Sequence, residues 1–312
     1  MAATFPANVD IVYADEDQGM RRGLTDSIKE NGYHGVREVG SLGDAATAIT
    51  RNTPDIFLVD SFLESPAALQ IIEKLRGLKL GRNPFLTVIA CCDKPSADTL
   101  KNFVGVGIDY LVVKPIAPVE LIKRFLAIAQ KRKPFEVSSD YIGPDRSEFT
   151  FLDEHQAGEL IEVPNTVGMK LRGQEVTQDI IDELVAAAMT EISAERLNQN
   201  SNDASTIING LLERVSNGET NGVLRPEGDR AIQILSDTGI RLDRKVAEEP
   251  SELCGFVGTL VERLLVTKEP SDNLVSLLGS LAPALPICFG TTDAAEAATR
   301  QLLDMSKRVK VD

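Results

Sequence analysis

Short runs of β-branched residues alternate with amphipathic segments through the first 133 residues. The strand candidates are Val9–Ala14, Gly35–Val39, Ile56–Val59, Leu86–Cys91 and Tyr110–Val113. The helix candidates are Gln18–Asn31, Leu42–Arg51, Ala67–Leu78, Ala97–Val104 and Pro118–Lys131. Strands that alternate with helices in this way form a parallel sheet covered by helices on both faces. The pattern therefore predicts an α/β domain of (βα)5 type over residues 1–133.

The rest of the chain divides at about residue 175. Residues 134–175 carry Pro, Gly, Ser and Asn without sustained periodicity, which is typical of a linker or docking arm. Residues 176–312 have a helical pattern that fits five or six helices, and we expect an all-α helical bundle domain there. The N-cap candidates are Thr177, Ser251, Ser271 and Thr292.

One predicted helix, residues 229–246, has a clear apolar stripe. The stripe consists of Ile232, Leu235, Gly239, Leu242 and Val246. Their spacing of three and four residues places them on one helix face, and that face needs a partner. Packing in the core of the bundle is one interpretation, and a homodimer seam is the alternative.

Charge and cysteine content exclude several classes of protein. The net charge of −14 argues against a nucleic-acid binder, which needs Lys and Arg to neutralise phosphates. The basic cluster of Lys131, Arg132 and Lys133 fits a helix C-terminus better than a DNA contact. The four cysteines lack metal-ligand spacing, which favours reduced thiols in the cytoplasm. Without a signal peptide or a run of about 18 apolar residues, we predict no membrane span.

Reactive side chains follow four of the five predicted strands. They are Asp15, Glu16, Asp60, Cys91, Cys92 and Lys114. The carboxyl ends of parallel strands form one rim, where open α/β sheets bind their ligands. Three crowded carboxylates require a compensating cation, and oxygen ligands of this kind suit Mg²⁺. Asp60 can then attack phosphorus as a nucleophile while Lys114 and Mg²⁺ stabilise the phosphoryl oxygens.

Three segments, IVYADED, PDIFLVDS and YLVVKP, resemble the signature segments of the CheY-like receiver domains of two-component response regulators. The resemblance covers roughly residues 8–131 and implies a flavodoxin-like fold, Mg²⁺ as cofactor, and phosphoryl transfer from a sensor histidine kinase or phosphotransfer protein. It assigns Asp15 and Glu16 as the acidic pair, Asp60 as the phospho-acceptor and Lys114 as the family's lysine. It also implies the backbone carbonyl of Phe62 as a metal ligand.

The chain departs from the family in three places. Cys92 stands where a Ser or Thr hydroxyl usually meets the phosphoryl group, and a thiol is a weak donor. Leu111 occupies the aromatic switch position, and Tyr110, one residue earlier, should face the other side of the sheet. The loop SFLESPAAL lacks the family's usual Pro and Gly, which puts the Phe62 carbonyl in doubt. Two alternatives follow: a phosphorylation-independent pseudo-receiver, and a redox sensor at Cys91 and Cys92.

The helical half matches no output family, although the segment DYIGPDR resembles one that follows bacterial receivers. His34 and His155 do not lie on a long bundle helix, so a built-in phosphotransfer domain is not expected. We predict a response regulator that signals through protein–protein interaction or dimerisation, with no enzymatic activity beyond its own phosphoryl transfer and dephosphorylation. The alternatives are a phosphatase-type output around Gln174–Glu183 and an unfamiliar DNA-binding helix-turn-helix, which the acidic charge disfavours.

Overall fold

The computed structural model describes residues 8–149, 158–219, 221–243, 248–289 and 293–308. The chain divides into two compact units, Met1–Ile192 and Ser193–Asp312. The first unit contains the predicted α/β domain together with the segment that follows it. The secondary-structure elements of the second unit are all helices in its described residues.

A five-stranded parallel sheet with the order β2-β1-β3-β4-β5 forms the centre of the first unit. The strands are β1 (Ile11–Ala14), β2 (Val36–Val39), β3 (Ile56–Asp60), β4 (Thr87–Cys92) and β5 (Tyr110–Val113). The helices are α1 (Gln18–Glu30), α2 (Leu42–Arg51), α3 (Ala67–Arg76), α4 (Ala97–Gly105) and α5 (Pro118–Gln130). This flavodoxin-like order confirms the α/β prediction.

The strand sequences explain why helices cover both faces of the sheet. Successive strand residues point to opposite faces. Val12 and Ala14 pack into the core under α2 and α3, whereas Ile11 and Tyr13 pack into the core under α1 and α5. Ser96 accepts a hydrogen bond from the Thr99 N–H and so caps α4.

Residues 134–175, expected to be a linker or docking arm, pack within the first unit. They form a second, antiparallel sheet with the order β7-β6-β8, followed by a short helix. These elements are β6 (Phe135–Val137), β7 (Ile142–Pro144), β8 (Glu159–Ile161) and α6 (Thr166–Leu171). Strands of three residues are too short to show a period, which explains why the sequence pattern missed them.

The long helix α7 (Gln178–Ser216) begins on this small sheet. Ile181 and Val185 of α7 share a buried apolar cluster with Phe135 of β6 and Phe85. The first unit consequently extends to Ile192, whereas the sequence placed the start of the helical domain at residue 176. The apolar residues of early α7 complete the core of the first unit.

A buried network of ion pairs connects the small antiparallel sheet to the five-stranded parallel sheet. Arg76 and Arg132 both pair with the carboxylate of Asp109, at 3.0 and 3.3 Å, and all three side chains are almost fully buried. Both guanidinium groups also lie over the ring of Phe135, at 5.2 and 5.4 Å from its centroid. Arg132 therefore has a structural role in this network.

The second unit confirms the all-α prediction. Beyond the α7 residues that belong to it, its helices are α8 (Asn221–Asp243), α9 (Glu248–Val266), α10 (Asp272–Leu281), α11 (Leu285–Cys288) and α12 (Asp293–Arg308). Together with α7, they make six α-helices among the described residues. They enclose a leucine-rich core of which α8 and α9 contribute a large part.

The apolar stripe of α8 faces this core. Leu235 and Leu242 are buried in it and Ile232 packs against it, while Gly239 comes close to Cys254 of α9. Val246 lies outside the described residues. The stripe therefore packs inside the bundle, and the homodimer-seam alternative for this face is wrong.

Two of the predicted N-caps are present in the structure. Thr177 accepts from the Ile180 N–H and Ser271 from the Leu274 N–H. The prediction for Ser251 was wrong, because α9 already begins at Glu248 and Ser251 donates its hydroxyl to the carbonyl of Gly239 at 3.1 Å. Thr292 lies outside the described residues.

In the part of the chain that the structure describes, no helix is both long enough and apolar enough to cross a membrane.

Removing the charge of Asp109 should destabilise the first unit strongly. Asp109→Asn leaves two buried guanidinium groups without a counter-ion, and breaking a buried pair in this way costs about 3–5 kcal/mol. Urea unfolding followed by tyrosine emission measures this, because the chain has four Tyr, all in the first unit, and no Trp.

The matched control for this substitution is Glu120→Gln. Glu120 pairs with Lys123 on the exposed face of α5, and surface pairs contribute less than about 1 kcal/mol. An Asp109→Asn protein as stable as the Glu120→Gln protein would contradict the assignment of the network.

Candidate functional site

Three of the predicted site residues meet at the carboxyl end of the parallel sheet. The Lys114 ammonium, just after β5, donates to Asp15 Oδ2 at 2.8 Å and also contacts Asp60 Oδ2. The three side chains are only 8%, 1% and 9% exposed for Lys114, Asp15 and Asp60. The strand order explains the meeting, since β1 and β4 flank β3 and β5 lies beside β4.

The two carboxylates are oriented by further donors. Asp15 Oδ1 accepts from the backbone N–H of Asp17 at 2.9 Å. Asp15 Oδ2 accepts from the hydroxyl of Tyr13, also at 2.9 Å. Asp60 Oδ1 accepts from the backbone N–H of Phe62 at 2.6 Å. Both carboxylates are therefore held in one orientation around the ammonium.

The electrostatics of the site keep Lys114 charged. Burial by itself would lower the pKa of Lys114, but the hydrogen bonds and charges of Asp15 and Asp60 outweigh it and raise this pKa above its ordinary value. Two buried carboxylates nevertheless share one ammonium. The centre formed by these three side chains thus has an excess of negative charge when both carboxylates are ionised.

The other two expected metal ligands are not brought into this centre. The Glu16 side chain is exposed, and its backbone carbonyl accepts from Arg21 Nη1 at 3.0 Å. The Phe62 carbonyl accepts from the backbone N–H of Ser65 at 3.2 Å, within the turn that follows β3. Among the described residues, no group of three or more His, Cys, Asp or Glu side chains is placed to hold a metal ion.

The loop after Asp60 is anchored by Glu64. Glu64 adopts a left-handed conformation with φ of 46°, and its carboxylate accepts from the backbone N–H of Leu42 at 3.0 Å. Leu63 is buried in the core under α2 and α3. The loop is therefore held against the start of α2, and the Phe62 side chain is left 54% exposed.

The two cysteines of β4 face opposite sides of the sheet. Cys91 pairs in register with Asp60 and packs with Tyr13 under α1 and α5. Burial raises the pKa of the Cys91 thiol well above its usual range, although Lys114 acts in the opposite direction. A redox sensor would need an accessible thiol of low pKa, so the burial of Cys91 disfavours this alternative. Cys92, at the expected switch position, is fully buried at the end of β4.

Leu111 and Tyr110 face opposite sides of the sheet, as the sequence predicted. Leu111 packs against the core under α2 to α4, and Tyr110 packs on the opposite face. The Tyr110 ring is contacted by the guanidinium of Arg124 and the ammonium of Lys133, at 5.6 and 5.7 Å from its centroid. Tyr110 is therefore held on the α5 side and does not substitute for an aromatic residue at position 111.

Among the residues that the structure describes, the other candidate positions do not come together in a second site. In the segment Gln174–Glu183, Asp182 pairs with Arg82 at 2.7 Å and accepts from Gln178, so its carboxylate is already engaged in ion pairing. His34 is exposed between α1 and β2. His155 lies outside the described residues.

Sequence reasoning missed Tyr13 and Arg21. Tyr13 precedes Asp15 by two residues in an extended strand, so both side chains point to the same face, and this parity was the available signal. Arg21 donates to the backbone carbonyls of Asp15 and Glu16. This contact joins the first turn of α1 to the end of β1, and nothing in the spacing indicates it.

Part of this chain is similar to a described domain family. Residues 11–126 match the response regulator receiver domain family. The response regulator MprA of Mycobacterium sp. strain KMS is 28% identical over 145 residues, which cover 46% of this chain and 58% of MprA. The phosphate regulon transcriptional regulatory protein PhoB of Escherichia coli K12 is 22% identical over 127 residues, 41% of this chain and 54% of PhoB. The chain thus spans little more than half the length of these curated relatives.

Solved receiver structures also align with part of this chain. The signal receiver domain of the putative response regulator NarL from Mycobacterium tuberculosis matches 41% of this chain and all of that domain, with 21% identity and a TM-score of 0.36. A CheY-like receiver domain protein from Methanospirillum hungatei JF-1 matches 38% of this chain and 91% of that protein, with 19% identity and a TM-score of 0.35.

Thiol reactivity tests the burial of the cysteines. All four are buried, so in the folded protein we expect none to react quickly with Ellman's reagent at about pH 8, and all four to react after denaturation. A fast-reacting thiol that disappears in Cys91→Ser would contradict the burial and raised pKa of Cys91.

Proposed function

Because residues 11–126 match the response regulator receiver domain family, we propose that this chain accepts a phosphoryl group on Asp60. The observation that carries the proposal is the buried contact of Lys114 with both Asp60 and Asp15. The phosphoryl donor is a sensor histidine kinase or a phosphotransfer protein, the usual partners of receiver domains. The compartment that fits such a partner is the cytoplasm.

The chemistry follows from the two oxygens of Asp60. One of them attacks the phosphorus of a phosphohistidine, a P–O bond forms as the P–N bond breaks, and the imidazole leaves with its electron pair. Asp60 Oδ1 is held by the Phe62 N–H and Oδ2 by Lys114, so the carboxylate is oriented before the donor arrives. Hydrolysis of the resulting acyl phosphate releases phosphate and restores the carboxylate.

Lys114 supplies the positive charge that this transfer needs. Its ammonium already donates a hydrogen bond to the Asp60 carboxylate, and it remains charged in this environment. After transfer, the same ammonium can contact a phosphoryl oxygen with little movement. A preorganised charge of this kind stabilises the transition state without solvent rearrangement.

The residues at the rim fit a divalent cation. Asp15 and Asp60 provide hard oxygen donors and more negative charge than one ammonium neutralises, which favours Mg²⁺. Asp15 and Asp60 would hold the ion, with Glu16 able to contribute from the exposed edge. When bound, Mg²⁺ supplies charge neutralisation for the phosphoryl oxygens. The Phe62 carbonyl is the weakest member of the expected ligand set, because it accepts from Ser65.

Signalling beyond Asp60 requires a modified route. Cys92 offers only a weak donor to a phosphoryl group, and Leu111 cannot provide the hydroxyl or ring movement of an aromatic switch. We assign the output to the helical residues 193–312, acting by protein–protein interaction or dimerisation. The negative charge of the phosphoryl group would bias the receiver between two states.

Acetyl phosphate with Mg²⁺ tests acceptance of the phosphoryl group. The intact mass should increase by one phosphoryl group, the adduct should be labile at alkaline pH as acyl phosphates are, and Asp60→Asn should abolish it. Asp26→Asn, which removes an exposed carboxylate from α1, is the matched control and should be phosphorylated like the wild type.

An absent adduct, or one retained in Asp60→Asn, would overturn the proposal. In that case a phosphorylation-independent pseudo-receiver becomes the better interpretation, with Cys92 and Leu111 as the residues that favour it.

A further inference from the structure

Tyr13 brings a buried hydroxyl to the acceptor site. It is the third residue of β1, it is fully buried, and its ring packs with Cys91, Leu121 and Phe125. Its hydroxyl lies 2.9 Å from Asp15 Oδ2. The donor therefore comes from within the core, beneath the rim on which Lys114 and Asp60 meet.

The hydroxyl of Tyr13 needs this partner. A buried hydroxyl without a hydrogen bond costs free energy, because it loses its contact with water. The ring is fixed by its apolar neighbours, so the position of Tyr13 Oη is fixed as well. The carboxylate of Asp15 accordingly keeps one oxygen on the phenol.

Asp15 transmits this constraint to the acceptor. Its Oδ2 accepts from both Tyr13 and Lys114, at 2.9 and 2.8 Å, while Oδ1 accepts from the backbone of Asp17. Lys114 in turn contacts Asp60 Oδ2. A continuous chain of charge-assisted hydrogen bonds thus runs from Tyr13 through Asp15 and Lys114 to Asp60.

We propose that Tyr13 is a positioning residue for phosphoryl transfer: its hydroxyl fixes the Asp15 carboxylate and, through it, the ammonium that faces Asp60. This inference rests on the proposed function. Tyr13 does not touch the phosphoryl group, and its effect reaches the reaction through the orientation of Asp15.

The variant Tyr13→Phe tests this role because it keeps the ring and removes only the hydroxyl. We expect phosphorylation by acetyl phosphate to slow about tenfold or more, the effect of losing a hydrogen bond to a charged group. We also expect the Mg²⁺ concentration for half-maximal rate to change, since Asp15 would no longer be held. A purely structural role would leave this Mg²⁺ dependence unaltered.

Tyr141→Phe is the matched control. Tyr141 is buried, and its hydroxyl donates to the carbonyl of Pro144 at 2.9 Å, within the small antiparallel sheet. The control loses the same group and a hydrogen bond of similar length, but at a position away from the rim. It should therefore keep the rate and the Mg²⁺ dependence of the wild type.

The possible results separate this inference from the proposed function. A wild-type protein without an Asp60 adduct overturns both. A phosphorylated wild type with a Tyr13→Phe variant that has the same rate and Mg²⁺ dependence overturns only the role of Tyr13.

A second measurement decides the matter if Tyr13→Phe does not fold. In the wild type with ¹³C-labelled tyrosine, the ring Cζ resonance of Tyr13, assigned by eliminating the other three tyrosines, should shift when Mg²⁺ and beryllofluoride are added. The Tyr141 resonance should stay in place. An unchanged Tyr13 resonance, with the anion bound, overturns the inference.

Discussion

The contact of one buried ammonium with two buried carboxylates is the interaction on which the site depends. Asp15 and Asp60 are nearly inaccessible to water, and their mutual repulsion would disfavour this arrangement without Lys114 between them. The parallel sheet makes the contact possible by ending three strands at one rim. The buried Asp60 carboxylate, the cation beside it and the excess negative charge that favours a divalent ion are therefore consequences of one topology.

Much of the fold could be predicted from periodicity. Strands and helices of the first 133 residues alternate clearly, because the inner strands β1, β3 and β4 are buried on both faces and each helix has one apolar stripe. The elements between residues 134 and 175 could not be predicted in the same way, since a three-residue strand has no measurable period. Asp109, Arg76 and Arg132 come from distant parts of the sequence, and only the folded chain shows that they share one buried network.

The residues of the candidate site were likewise predictable only in part. Asp15, Asp60 and Lys114 follow their strands directly, so strand order alone brings them together. The Glu16 side chain and the Phe62 carbonyl depend on loop geometry, which here is set by Glu64 binding the start of α2. The hydrogen bond of Tyr13 depends on a side-chain rotamer within the core. Strand parity could have indicated its direction but not its partner.

A crystal structure of the full chain with Mg²⁺ and beryllofluoride is the most direct test of the account. The account predicts the anion on an Asp60 oxygen, Mg²⁺ against Asp15 and Asp60, and the Lys114 ammonium moved from the carboxylates to a fluorine of the bound anion. Clear density for Lys114 still bridging Asp15 and Asp60, with no anion on Asp60 at saturating beryllofluoride, would contradict it.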